Sequence, residues 1–277
     1  MIPLNSFLLA YIGIYLASSA VDLLIERINA KHLAKYGEKV PDAFEGTINL
    51  EELKKIHSYA TDNIRFKMFQ TCIAKLIFLF IILSGMLPWL SEFLKDLSLL
   101  VAGLIFFAVP GLLLTLTGIP FDYYHSFIIE GRYGFNTKTI KIWLSDLIKS
   151  MFILTIIGAF LISALLLMIR YTGPAWWVWI WAVFIGFQLI LTVIYPIVIA
   201  PLFNKFIPLE ESDLKRSIEK LASGEGFNVQ GIYQMDATKR TRHTNAYFTG
   251  IGKSKRIVLF DSLIQSHGND EIKAILS

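Results

Sequence analysis

The chain has 277 residues, 55% hydrophobic and 17% charged, against roughly 25% charged in soluble globular domains. That balance excludes a wholly soluble fold, and a single cysteine, Cys72, excludes an internal disulfide framework and a cysteine-based zinc finger. A formal charge of +4 is too small and too dispersed for a nucleic-acid partner, so its placement says more than its sum.

Five stretches reach the roughly 18 to 20 apolar residues that a helix needs to cross a bilayer. The first, Met1 to Val21, carries no charge and no basic leader or Ala-x-Ala cleavage pattern, which predicts an uncleaved helix with Asp22 at the membrane interface. A polar segment follows, in which Asn49 and Glu52 form a capping-box pattern ahead of about three helical turns lying against the membrane or the tail. The second span covers Gln70 to Leu90, with Lys75 near its start expected to snorkel to the headgroups. The third lies within Leu97 to Phe121, and a structured loop to Lys149 then leads into a helix from about Thr137. The fourth runs from Ser150 to Ile169. The fifth runs from Ala175 to Ala200, framed by Pro174, Pro196 and Pro201.

Lys and Arg number eight from Arg27 to Lys67, one (Lys95) between the second and third spans, four between the third and fourth, one (Arg170) before the fifth and eleven after it. Under the positive-inside rule this alternation places the N-terminus outside and the C-terminal tail in the cytoplasm. Trp89, Trp176, Trp177 and Trp179 then fall at the outer boundary, as interfacial anchors. The expected fold is mainly α: a polytopic bundle of five spans over residues 1–203, with cytoplasmic loops at about 27–67 and 121–149, and a small α+β tail over 204–277. In the tail, the pattern predicts a helix from Ser212 to Ala222, a turn at Gly224 to Gly226 and a strand from Val229 to Met235. A hairpin of Asn245–Thr249 and Arg256–Phe260 follows, then a short helix from Asp261 and a last helix capped by Asn269.

Catalytic patterns are missing from the residues themselves. His32, His57, His125, His243 and His267 are scattered, and none has a second His one helical turn away. No Gly-x-Ser-x-Gly elbow occurs, and Gly250-x-Gly252 lacks the third glycine of a dinucleotide loop. No catalytic residue and no metal ligand is assigned in this chain. A non-hydrolytic transporter, channel or scaffold is the competing class, with Gln188 and Thr192 as its best polar path through the membrane.

Four blocks carry a resemblance. They are Phe127 to Asn136 with Asp146 and Lys149, Tyr195 to Phe203, Thr244 to Gly250 with Lys255 to Asp261, and Asp270 to Leu276. Together the chain resembles the type I CAAX prenyl endopeptidases, integral-membrane zinc metalloproteases that cleave behind a lipidated cysteine. The resemblance implies that the last helix continues into a His-Glu-x-x-His motif, followed by two more spans and a distal glutamate ligand. This sequence would then be an N-terminal portion, inactive by itself, with Zn²⁺ bound only in the intact enzyme and the motif glutamate as general base. It further implies a prenylated or otherwise membrane-associated peptide as partner, beside the lipid bilayer, in the inner membrane of a bacterium or the endoplasmic reticulum of a eukaryote. Asn245 and Ala246 are carried over as substrate-binding residues on a strand that hydrogen-bonds the peptide backbone. In the Glu130 to Asn136 block, Glu130 and Arg132 with Gly131 and Gly134 are expected to pin the loop to the tail through charge-assisted hydrogen bonds, the alternative being a place near the cleft entrance.

Overall fold

The computed structural model describes residues 5–37, 39–40, 46, 49–224, 226, 229–250, 252 and 255–277. They are mostly helical, with five helices long and apolar enough to cross a membrane and one small sheet near the C-terminus. By packing they fall into two compact units, Met1–Tyr133 and Gly134–Ser277.

In the first unit, α1 (Ser6–Tyr36) starts at Asn5, whose side chain accepts the Leu8 N–H at 2.8 Å. It runs well past the uncharged stretch because no glycine or proline follows Val21 before Gly37. The capping box at Asn49 forms, with Glu52 N–H donating to Asn49 Oδ1 at 2.8 Å and Asn49 N–H to Glu52 Oε2 at 3.4 Å. It opens no separate short helix: α2 (Leu50–Leu83) continues unbroken into the second span, since nothing between Asn49 and Leu83 breaks a helix. That span ends earlier than expected, at Ser84–Gly85, where Gly85 adopts φ 82° and lets α3 (Met86–Phe93) set off in a new direction.

Lys75 finds its partners on the neighbouring helix. Its ammonium meets Asp22 at 2.9 Å and Ser19 Oγ at 3.0 Å, while Tyr15 donates to the Lys75 carbonyl at 3.0 Å. Lys75 sits eight residues, about 12 Å of helix rise, from Leu83. A charge within a span is stabilised by a carboxylate on the neighbouring helix. The third span, α4 (Leu99–Tyr123), passes through a π turn at Tyr124–Ile129 into α5 (Glu130–Arg132).

The second unit opens with α6 (Ile140–Tyr171), capped by Thr139, three residues later than the sequence pattern predicts. Its neighbour α7 (Trp176–Ile194) leads through a π turn at Tyr195–Ile199 into α8 (Ala200–Phe203). Pro196 and Pro201 lack the N–H donors that a regular helix needs there, and a widened turn accommodates the loss. Within α7, the Thr192 hydroxyl donates to the Gln188 carbonyl at 2.8 Å.

The tail builds a four-stranded sheet from β1 (Phe206–Pro208), β2 (Gly231–Met235), β3 (Ala246–Thr249) and β4 (Arg256–Phe260), in the order β1-β2-β4-β3. Only the β2–β4 pair is parallel. Strand alternation sends Ile232, Ile257 and Leu259 to one face, where Leu214, Ile218 and Ala222 of α9 (Asp213–Gly224) cover them. Leu263 of α10 (Asp261–Ser266) and Ile272 of α11 (Asn269–Leu276) complete that core. Tyr233, Met235, Tyr247 and Val258 occupy the opposite face.

Two details depart from the sequence reading. The strand β1 escapes the pattern because it holds only three residues and ends in Pro208, which suits a sheet edge. The N-cap of α11 is Gly268 rather than Asn269, with Glu271 Oε2 accepting the Gly268 N–H at 2.7 Å. The predicted turns at Gly224–Gly226 and Gly250–Lys255 include residues 225, 251, 253 and 254, outside the described set.

Candidate functional site

β3 is the terminal strand of the sheet, bonded on one side to β4 through the register Ala246↔Leu259, Tyr247↔Val258, Phe248↔Ile257 and Thr249↔Arg256. Just before it, the Phe260 N–H donates to the Asn245 carbonyl at 3.0 Å. That bond makes Asn245 and Phe260 a hydrogen-bonded pair, and antiparallel alternation then turns the main-chain groups of Ala246 and Phe248 away from β4, toward the outer edge. The Ala246 N–H accordingly donates to Asn245's own Oδ1, at 2.9 Å. Asn245 is exposed and Ala246 half-buried. The two carried-over residues thus stand together at the open edge of the sheet.

The loop ahead of β3 is held from several directions, all within the second unit. Asp261, at the first position of α10, is buried, with its carboxylate accepting the N–H groups of Thr238 and Ser262, each at 2.9 Å, and the Thr238 hydroxyl. The Ser262 hydroxyl donates to the His243 carbonyl at 2.8 Å, two residues before Asn245. On the far side, Thr137 N–H reaches the Arg240 carbonyl at 3.3 Å and Arg242 N–H the Phe135 carbonyl at 2.9 Å, so the segment before α6 adds a small antiparallel bridge. The His243 ring stacks on Phe135 with centroids 4.2 Å apart.

Sequence reasoning gave Arg240 no role, yet it is the strongest fastener of this loop. Its Nε and Nη2 grip the two oxygens of Asp146 at 2.8 and 2.9 Å, and its Nη1 donates to Asn204 Oδ1 at 3.0 Å. Both charged side chains are largely covered, 15% and 16% exposed. A planar guanidinium suits this fork because it offers parallel donors to a carboxylate and a third to an amide. Asp146 and Lys149 stand on α6, one turn apart. Lys149 closes the end of α8, its ammonium 2.9 Å from the Leu202 carbonyl.

Under the strand, burial pushes the Tyr247 phenol above its usual value, against the lowering influence of Arg256. In the first unit, Tyr59 donates to Glu130, and Asp62 accepts from Arg132 and from the Tyr133 hydroxyl, each at 2.8 Å, so these residues fasten to α2. Burial and the Asp62 contact raise the Tyr133 phenol. In the second unit, Phe135 and Asn136 reach the tail loop. Among the described residues no three of His, Cys, Asp and Glu converge on one position for a metal ion.

Comparisons with known proteins agree with this layout. A family model described as CAAX prenyl protease N-terminal, five membrane helices, matches residues 29–205, and the peptidase family M48 model matches 208–277. The CAAX prenyl protease 1 homolog of Arabidopsis thaliana is 35% identical over 255 residues, covering 86% of this chain and 58% of the relative. CAAX prenyl protease 1 of Saccharomyces cerevisiae is 36% identical over 256 residues, with 86% and 56% covered. The crystal structure of S. mikatae Ste24p superposes with a TM-score of 0.88 at 31% identity, covering 99% of this chain and 65% of that one. The chain therefore spans little more than half the length of the curated relatives it matches.

Proposed function

This chain belongs to the CAAX prenyl protease family of M48 peptidases, and from that membership we propose that its tail supplies the substrate-binding edge of a membrane-embedded metalloendopeptidase. The chain is an integral, multi-pass membrane protein. On this reading residues 1–203 form the membrane part, and 204–277 begin the peptidase unit. The tail faces the cytoplasm, with the N-terminus outside, in the inner membrane of a bacterium or the endoplasmic reticulum of a eukaryote. The substrate is a peptide tethered to the bilayer, prenylated or otherwise anchored, matching the activity for which the relatives are named.

The observation that carries the proposal is the Ala246 N–H, turned outward on an edge strand and held only by the Asn245 side chain among the described residues. An incoming peptide carbonyl can take over that donor, as in strand addition elsewhere. The displaced Asn245 amide then has both a donor and an acceptor for the next peptide unit. The rigid loop fastened by Arg240, Asp261 and Ser262 fixes the height of this edge, and positioning within an ångström is where such sites gain rate. On this reading the chain's part is to bind and orient the peptide. Zinc, its ligands and the general base belong to the longer protein, and the 277 residues alone are inactive.

The test is Asn245→Ala in the longer protein. Bound zinc per chain should be unchanged while kcat/KM for a membrane-tethered peptide falls about tenfold or more, one lost charge-free hydrogen-bonding site with its geometry. Wild-type turnover in that variant would remove Asn245 from the substrate site.

A further inference from the structure

A cavity of about 470 Å³ lies in the first unit between α2 and the continuation of α4. Its walls are aromatic: Phe66 and Phe69 of α2 each face Phe121, at centroid distances of 6.1 and 6.0 Å. Two guanidinium groups, Arg65 and Arg132, border it, with one carboxylate, Asp62. Asp62 is committed, since it accepts from Arg132 Nη1 and from the Tyr133 hydroxyl, each at 2.8 Å. That pair holds the Arg132 fork in place and cancels its charge. Arg65 is exposed and, among the described residues, makes no ion pair or hydrogen bond. The cavity mouth thus keeps one net positive charge above an apolar interior.

Its depth is also informative. Arg65 and Lys67 close the polar half of α2, and the apolar half that spans the membrane begins directly after them. Arginine at that level lies among headgroups, while Phe69, one turn further on, lies among acyl chains. Basic pockets between spanning helices at this height suit anionic headgroups, and planar guanidinium pairs with phosphate in a way that a lone ammonium does not.

We propose that this cavity binds one anionic phospholipid from the bilayer, its phosphate on Arg65 and the free edge of Arg132, and an acyl chain along Phe66, Phe69 and Phe121. Nothing in this assignment depends on the peptidase reading, because all the residues belong to α2, α4 and α5.

Native mass spectrometry of the full chain, released from detergent micelles containing phosphatidylglycerol and phosphatidylcholine in equal amounts, tests it. The expected result is one retained phosphatidylglycerol per chain in preference to phosphatidylcholine. Arg65→Gln should reduce that retention about fivefold, Arg65→Lys should restore part of it, and Lys95→Gln, remote in sequence from the cavity, should change nothing. Because Arg65 is exposed and unpaired, the variant should fold as the wild type does, which a thermal melt checks. Equal retention of the two lipids, or unchanged retention in Arg65→Gln, overturns the proposal. Displacement of the lipid by a farnesylated peptide that excess phosphatidylglycerol cannot reverse also overturns it, and makes the cavity a substrate pocket.

Discussion

The Arg240–Asp146 clamp offers the sharpest perturbation. Arg240→Ala removes two charge-assisted hydrogen bonds, at 2.8 and 2.9 Å, from a carboxylate that is 16% exposed, and a third, at 3.0 Å, from Asn204. Stripping one partner from a buried pair costs about 3–5 kcal/mol, chiefly because the other charge stays behind. The small residual exposure of Asp146 admits some water, which places this case at the lower end, about 3 kcal/mol. The loss should be local, because the core between the sheet and α9 does not involve Arg240. Hydrogen exchange reads it directly: the amides of Thr137 and Arg242, which bond across the same bridge, should exchange about a hundredfold faster, the rate equivalent of 3 kcal/mol. Amides of β4 should be unaffected. Arg240→Lys, a point charge without the fork, should fall between, and pairing Arg240→Ala with Asp146→Ala should recover part of the loss. If Thr137 and Arg242 exchange within twofold of wild type in Arg240→Ala, the clamp does not hold the loop, and the positioning of Asn245 needs another cause.

The membrane pair gives a second test. Lys75→Met leaves Asp22 without its cation and should lower stability in a thermal or denaturant assay, whereas Lys75→Met with Asp22→Asn should recover most of the loss. Equal stability of the single and double variants would mean that Asp22 finds water or headgroups instead. Orientation is checked by labelling: a cysteine at Ser266, in a chain whose Cys72 is replaced by alanine, should react with an impermeant maleimide only after the membrane is opened. Labelling from the outside of intact cells would reverse the assigned topology.

The five spans were legible because continuous apolar runs need no partner to be recognised, and β3, β4 and α9 because their periodicity is unambiguous. What escaped depends on contacts far apart in sequence. Lys75 and Asp22 are 53 residues apart, so the sequence around Lys75 held nothing to distinguish pairing from snorkelling. Arg240 and Asp146 are 94 apart, and Arg240 sat in a basic run that reads as a solvated loop. The continuous α2 was missed for a different reason: polarity changes sharply along it while the backbone has no reason to break. Asn245 and Ala246 were placed by family resemblance, and the register that turns Ala246 outward emerged only with β4 beside it.

The central claim is that these 277 residues bind and orient a peptide whose hydrolysis needs metal ligands from the rest of a longer protein. The most direct measurement is zinc content and hydrolysis of a prenylated peptide, determined side by side on the 277-residue chain and on the protein extended to the length of its relatives. The account predicts about one zinc and steady turnover in the extended protein, with neither in the shorter chain. Zinc-dependent turnover by the 277 residues alone would contradict it.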